Sequence, residues 1–60
     1  MFTKEEILRN RALRSLIRLR IERGEARQAL EFIRVCLHEF NLREIDEIFQ
    51  TVKKEDITST

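Results

Sequence analysis

Arg11, Arg14 and Arg18 are the residues of this 60-residue chain whose type and spacing most directly suggest chemistry. Steps of three and four residues put side chains on one face of a helix, here at about 160°, 100° and 140° around the axis with Leu13 set to zero. A row of guanidinium groups so spaced grips anions, either successive phosphates of a nucleic acid or carboxylates of a protein. Asn10 and Ser15 edge the stripe, and Glu22 continues the same face and dilutes its charge. No aromatic residue stands there on which a base would stack.

The opposite charge gathers at Glu44, Asp46 and Glu47. General acid catalysis needs a carboxyl desolvated in a pocket, and a helical chain of this length promises none, so these acids are expected to form a solvated face or a docking surface for arginines. Cys36 and His38 would point about 200° apart on a helix and cannot act on one atom. Cys36 falls in an apolar stripe, where a cysteine is usually a small buried hydrophobe. A structural zinc site needs about four ligands in close spacing, and one Cys with one His falls short. The expectation is a protein that is not an enzyme, with no cofactor, no metal and no small-molecule substrate.

The elements that must position these residues are helical. Thr3 and Glu6 form a capping box, with Phe2 and Ile7 placed as a hydrophobic staple, and they start a first helix at Lys4. The pattern predicts that it runs unbroken to Arg23, with Gly24, the single glycine, ending it in the left-handed conformation. Leu8, Ala12, Leu13, Leu16, Ile17, Leu19 and Ile21 spread over an arc wider than the stripe of roughly 100° that one neighbouring helix covers. The excess implies a further helix, a second copy or a partner. A second helix is predicted from Glu25 or Ala26 to Phe40, with Ala26, Ala29, Leu30, Ile33, Cys36, Leu37 and Phe40 on its apolar side. Asn41 and Glu44 then cap a third, shorter helix that carries Leu42, Ile45, Ile48, Phe49 and Val52 inward and ends near Lys53 or Lys54. Leu16 and Ile33 are expected in the core.

Length and charge set the remaining bounds. Sixty residues make one small domain, here 1–56 with a frayed tail at 57–60, and such a domain needs a staple or a partner for comfortable stability. One cysteine allows no intrachain disulfide, so a homodimeric helical bundle is expected. Residues 1–30 hold eight Lys or Arg and four Glu, a balance of +4, and residues 31–60 hold four against seven acids, a balance of −3. The basic half and the acidic half attract each other or separate partners. A single cysteine set in an apolar stripe fits a reducing compartment, and with neither a secretory segment nor an apolar run of about 18 residues the expectation is the cytoplasm and no membrane span.

Leu16, Gly24 with Glu25, Ala29, Ile33 and Cys36 stand where one tetratricopeptide repeat has its Leu, Gly-Asp, Ala, aromatic and Ala. The segment Leu13 to Leu37, less than half the chain, thus resembles such a repeat, although Ile17 and Arg20 occupy its first-helix glycine and tyrosine positions. The resemblance implies a helical hairpin and carries no ligand-binding residue. A helix-turn-helix fits poorly, because the first helix is too long and Arg23 and Glu25 flank the turn.

The expected architecture is therefore all-α, a hairpin hinged at Gly24 plus a shorter third helix. The expected function is that of a small regulatory or adaptor protein, binding another protein through Arg11, Arg14 and Arg18 or through Glu44 and Glu47. The alternative is a nucleic-acid-binding regulator that presents the arginine face in a dimer.

Overall fold

The computed structural model describes residues 1–58, with side chains described as far as Glu55. Four helices follow one another: α1 Lys4–Arg9, α2 Arg11–Glu22, α3 Ala26–Cys36 and α4 Leu42–Thr58.

Helix α1 starts as its sequence dictates. The Thr3 hydroxyl accepts from the Glu6 amide at 3.2 Å, and the Glu6 carboxylate accepts from the Thr3 amide at 2.9 Å. It lasts six residues and stops at Asn10, which sits in extended backbone. The single helix expected from Lys4 to Arg23 is therefore two. Asn10 ends α1 and caps α2, its Oδ1 accepting from the Leu13 amide at 3.1 Å. The physical reason is Ile7. On one continuous helix it would stand near 120°, among the arginines, whereas after the break it is fully buried in the core.

Gly24 closes α2 with a positive φ of 76°. The Gly24 amide donates to the Ile21 carbonyl at 3.1 Å and the Glu25 amide to the Arg20 carbonyl at 2.8 Å, the paired bonds of a Schellman turn. Arg20 and Glu25 also face each other across this turn at 3.6 Å. Helix α3 then returns against α2 to form the expected hairpin.

Helix α3 ends at Cys36, four residues earlier than the periodicity suggests. Leu37 turns into extended backbone and pairs with Phe2 in a parallel bridge. The Phe2 amide donates to the Cys36 carbonyl at 2.8 Å, and the His38 amide to the Phe2 carbonyl at 2.7 Å. Leu37 remains buried, but Phe40, expected on the apolar stripe, is 66% exposed.

Helix α4 begins under an Asn41 cap, whose Oδ1 accepts from the Glu44 amide at 3.2 Å. At 17 residues it is the longest of the four, not the shorter third element expected, and it passes Lys53 and Lys54 to reach Thr58. Residues 57 and 58 of the expected frayed tail are thus helical, and residues 59 and 60 lie outside the described residues.

Every helix contributes to one core of Ile7, Ile17, Ala29, Ile33, Leu37, Ile45, Ile48, Phe49 and Val52. The radius of gyration of 10.3 Å agrees with about 10.4 Å for a compact chain of this length. Helix α4 packs on α1, α2 and α3 alike. It covers part of the wide apolar arc, and Leu8, Leu13 and Ile21 pack against the core. Leu16, expected inside, is 46% exposed, and Leu19 is 42% exposed. Both fall on the flank of α2 that neither α3 nor α4 encloses.

Candidate partner-binding surface

Helix α2 presents Arg11, Arg14, Ser15 and Arg18 along one wall, and together they line a concavity of about 390 Å³. Two turns of regular helix separate Arg11 from Arg18, roughly 10.5 Å along the axis, with Arg14 and Ser15 between them. The three arginines are not equivalent. Arg14 donates from one Nη to the Leu8 carbonyl at 3.2 Å and reaches the Glu55 carboxylate with the other at 2.9 Å. It ties the end of α1 and the C-terminal part of α4 to the first turn of α2. Arg11 is exposed and Arg18 half-buried, and neither has an acidic partner among the described residues. The Nε atoms of Arg14 and Arg18 are covered from solvent and hold no hydrogen bond among the described residues.

The acidic candidates lie elsewhere. Glu47 takes a 3.0 Å ion pair with Lys4, and this hydrogen bond, then the Glu47 charge, raises the Lys4 ammonium above its ordinary value. Glu44 is half-buried beside Phe2, Thr3, Lys4, Leu37, His38 and Glu39 around a small hollow of about 160 Å³. Glu44 and Glu47 thus stand by the start of α1 and share no concavity with the arginines. Glu47 serves the fold by holding α4 to α1.

Two features escape a reading by periodicity. Glu55 neutralises part of the arginine wall from a position remote in sequence, and no local signal marks it. A second concavity, of about 510 Å³, opens between α3 and α4, floored by Leu30, Leu42 and Ile45 and edged by Arg27, Arg34, Glu31 and Asp46. Leu42 was expected inward and is 70% exposed here. Arg34 pairs with Glu31 on the same rim, and that hydrogen bond, with the Arg34 charge, lowers the Glu31 carboxyl.

Cys36 is half-buried, and burial pushes its thiol up from the ordinary value. His38 is exposed, and its backbone amide is spent on Phe2. Among the described residues no group of three or more His, Cys, Asp or Glu gathers as a metal site, and no helix is long and apolar enough to cross a membrane. The surface carries guanidinium groups along one wall of α2 and an apolar-floored groove between α3 and α4. No protein-family model, curated protein or solved structure matches the chain.

Proposed function

We propose that the protein is a small regulatory or adaptor protein that works by binding, and that its Arg11, Arg14, Arg18 wall takes an acidic segment of a partner protein. One observation carries this reading. Arg11 and Arg18 line a common concavity with no acid of their own chain among the described residues, while Arg14 between them is already fixed. The exposed Arg11 and the half-buried Arg18 flank an anchored Arg14, so part of this surface is already ordered for a negative partner.

Nucleic acid is the second reading, favoured by the regular row of guanidinium groups. Arg14 weakens it, since its charge is shared with Glu55, and the acidic balance of residues 31–60 works against a polyanion. A homodimer belongs to the proposal too. Leu16 and Leu19 on α2 and Val35 on α3, all 42% exposed or more, are apolar surface that a second copy would bury.

Fluorescence anisotropy with a labelled glutamate-rich peptide and a labelled duplex DNA discriminates the readings. The peptide is expected to bind at about 50 mM salt and to be lost in the Arg11→Ala, Arg18→Ala double variant, with DNA binding negligible. If DNA binds instead, two free arginines from each of two protomers give a log–log salt slope of about −3.6, and the ranking is overturned.

A further inference from the structure

The charge and shape of the arginine wall select among acids. Three guanidinium groups face one concavity, Glu55 is ion-paired to one of them, and Glu22 continues the same helix face. The arginines outnumber these acids, so the wall is net positive. A phosphate monoester brings about −1.5 to −2 at neutral pH, whereas a phosphodiester or a carboxylate brings one charge. The donors are also several. Arg11 and Arg18, two turns apart, and Ser15 between them in sequence line the same concavity. A tetrahedral oxyanion accepts from several directions at once, while a planar carboxylate is satisfied by one guanidinium fork. Arg14 holds its place through Leu8 and Glu55, so the wall is built before a ligand arrives.

We infer that this concavity is a site for a phosphorylated side chain on a partner protein, with Arg11 and Arg18 as its two clamps, Ser15 as a hydroxyl donor and Arg14 as the residue that fixes the wall. The inference rests on the acidic-partner reading above and names its ligand. It makes binding conditional on modification of the partner, since adding a phosphate supplies both the charge and the acceptors that the wall lacks.

The test uses the full chain, labelled with nitrogen-15, and three short acetylated peptides that differ at one central residue: phosphoserine, serine or glutamate. Amide and arginine Nε–H shifts report binding and its place. The phosphoserine peptide is expected to bind about tenfold or more tightly than the glutamate peptide, in line with the greater strength of doubly charged, multidentate contacts. Its affinity falls between pH 7.5 and pH 5.5 as the phosphate takes up its second proton, near a pKa of about 6, and the affinity of the glutamate peptide does not. Arg11→Ala and Arg18→Ala each weaken it by about tenfold, with helical circular dichroism unchanged, and Arg43→Ala, at an exposed arginine in the first turn of α4 that does not line the concavity, leaves it as it was. Equal affinity for the phosphoserine and glutamate peptides overturns the phosphate assignment and leaves the acidic-segment reading standing. Binding of neither peptide, or tighter binding of a 12-nucleotide single strand than of the phosphopeptide, overturns both.

Discussion

Replacing Asn10 with Ala isolates what holds the α1–α2 break. The Asn10 side chain accepts from the Leu13 amide at 3.1 Å, and losing such a cap costs about 1 kcal/mol, within a range of roughly 0.5–2. Alanine also favours helix, so the variant has an escape, which is to fuse α1 and α2 into one straight rod. The rod is disfavoured by Ile7. Ten residues of regular helix would leave Ile7 about 80° around the axis from Ile17, and both are fully buried here. Exposing one isoleucine costs about 1.5–3 kcal/mol, more than the hydrogen bonds regained at one junction are worth net. The break should therefore survive in Asn10→Ala at a net loss of about 1 kcal/mol. In a domain this size that lowers the melting temperature by roughly 4–8 °C. Asn10→Asp keeps the acceptor and should melt within a degree or two of the parent. Thermal denaturation followed at 222 nm, at matched protein concentration, measures all three. An Asn10→Ala variant that melts at or above the parent temperature with a stronger helical signal would mean that the straight rod is preferred and that Ile7 does not enforce the break.

The same melts separate the two positions expected in the core. Ile33→Ala should lose ~2–5 kcal/mol and with it most of the folded population, whereas change of the half-exposed Leu16 to Ala should cost under ~1 kcal/mol at a dilution where the chain is monomeric, and more at concentrations where the proposed dimer covers it. Gly24→Ala meets no atom within 4 Å, so its cost is the left-handed backbone alone, about 1–2 kcal/mol. Thiol alkylation checks Cys36. Burial holds its pKa above the unfolded value, so the folded chain should react more slowly at pH 8 than the chain in denaturant. The linked stability is complete below the unfolded pKa of Cys36 and declines as pH rises through the folded one. Equal alkylation rates would contradict the burial of the thiol.

What the sequence displays is what neighbouring residues decide. Thr3 with Glu6, Gly24, and Asn41 with Glu44 are helix boundaries written within four residues, and each is found where its signal stands. The core faces of α3 and α4 follow from periodicity, and Ile33, Ile45, Ile48 and Val52 are buried accordingly. The α1–α2 break carried one clue, an isoleucine at position 7 on the arginine side of an otherwise consistent helix, but Asn10 also reads as an ordinary polar edge. The early end of α3 carried none. Leu37 fits the apolar stripe whether helical or extended, and its conformation is settled by Phe2 from the far end of the chain. The arginine face was legible as a stripe. Its inequality was not, because the pairing of Arg14 with Glu55, like that of Lys4 with Glu47, depends on how α4 lies across the other helices.

The bridge between Phe2 and Leu37 makes the beginning of the chain a latch. Two backbone hydrogen bonds at Phe2, the half-buried Phe2 ring and the Thr3 cap fall within two consecutive residues. Trimming Met1 to Thr3 would undo the start of α1 and unfasten the end of α3 in one stroke, opening the ring that Phe2 closes through α1, α2 and α3. Met1 itself is 83% exposed and takes no part in the closure. A tag or label joined ahead of it leaves directly into solvent. A dye or surface linker attached at Met1 would therefore sit apart from the Phe2 closure and leave α2 and its arginines undisturbed.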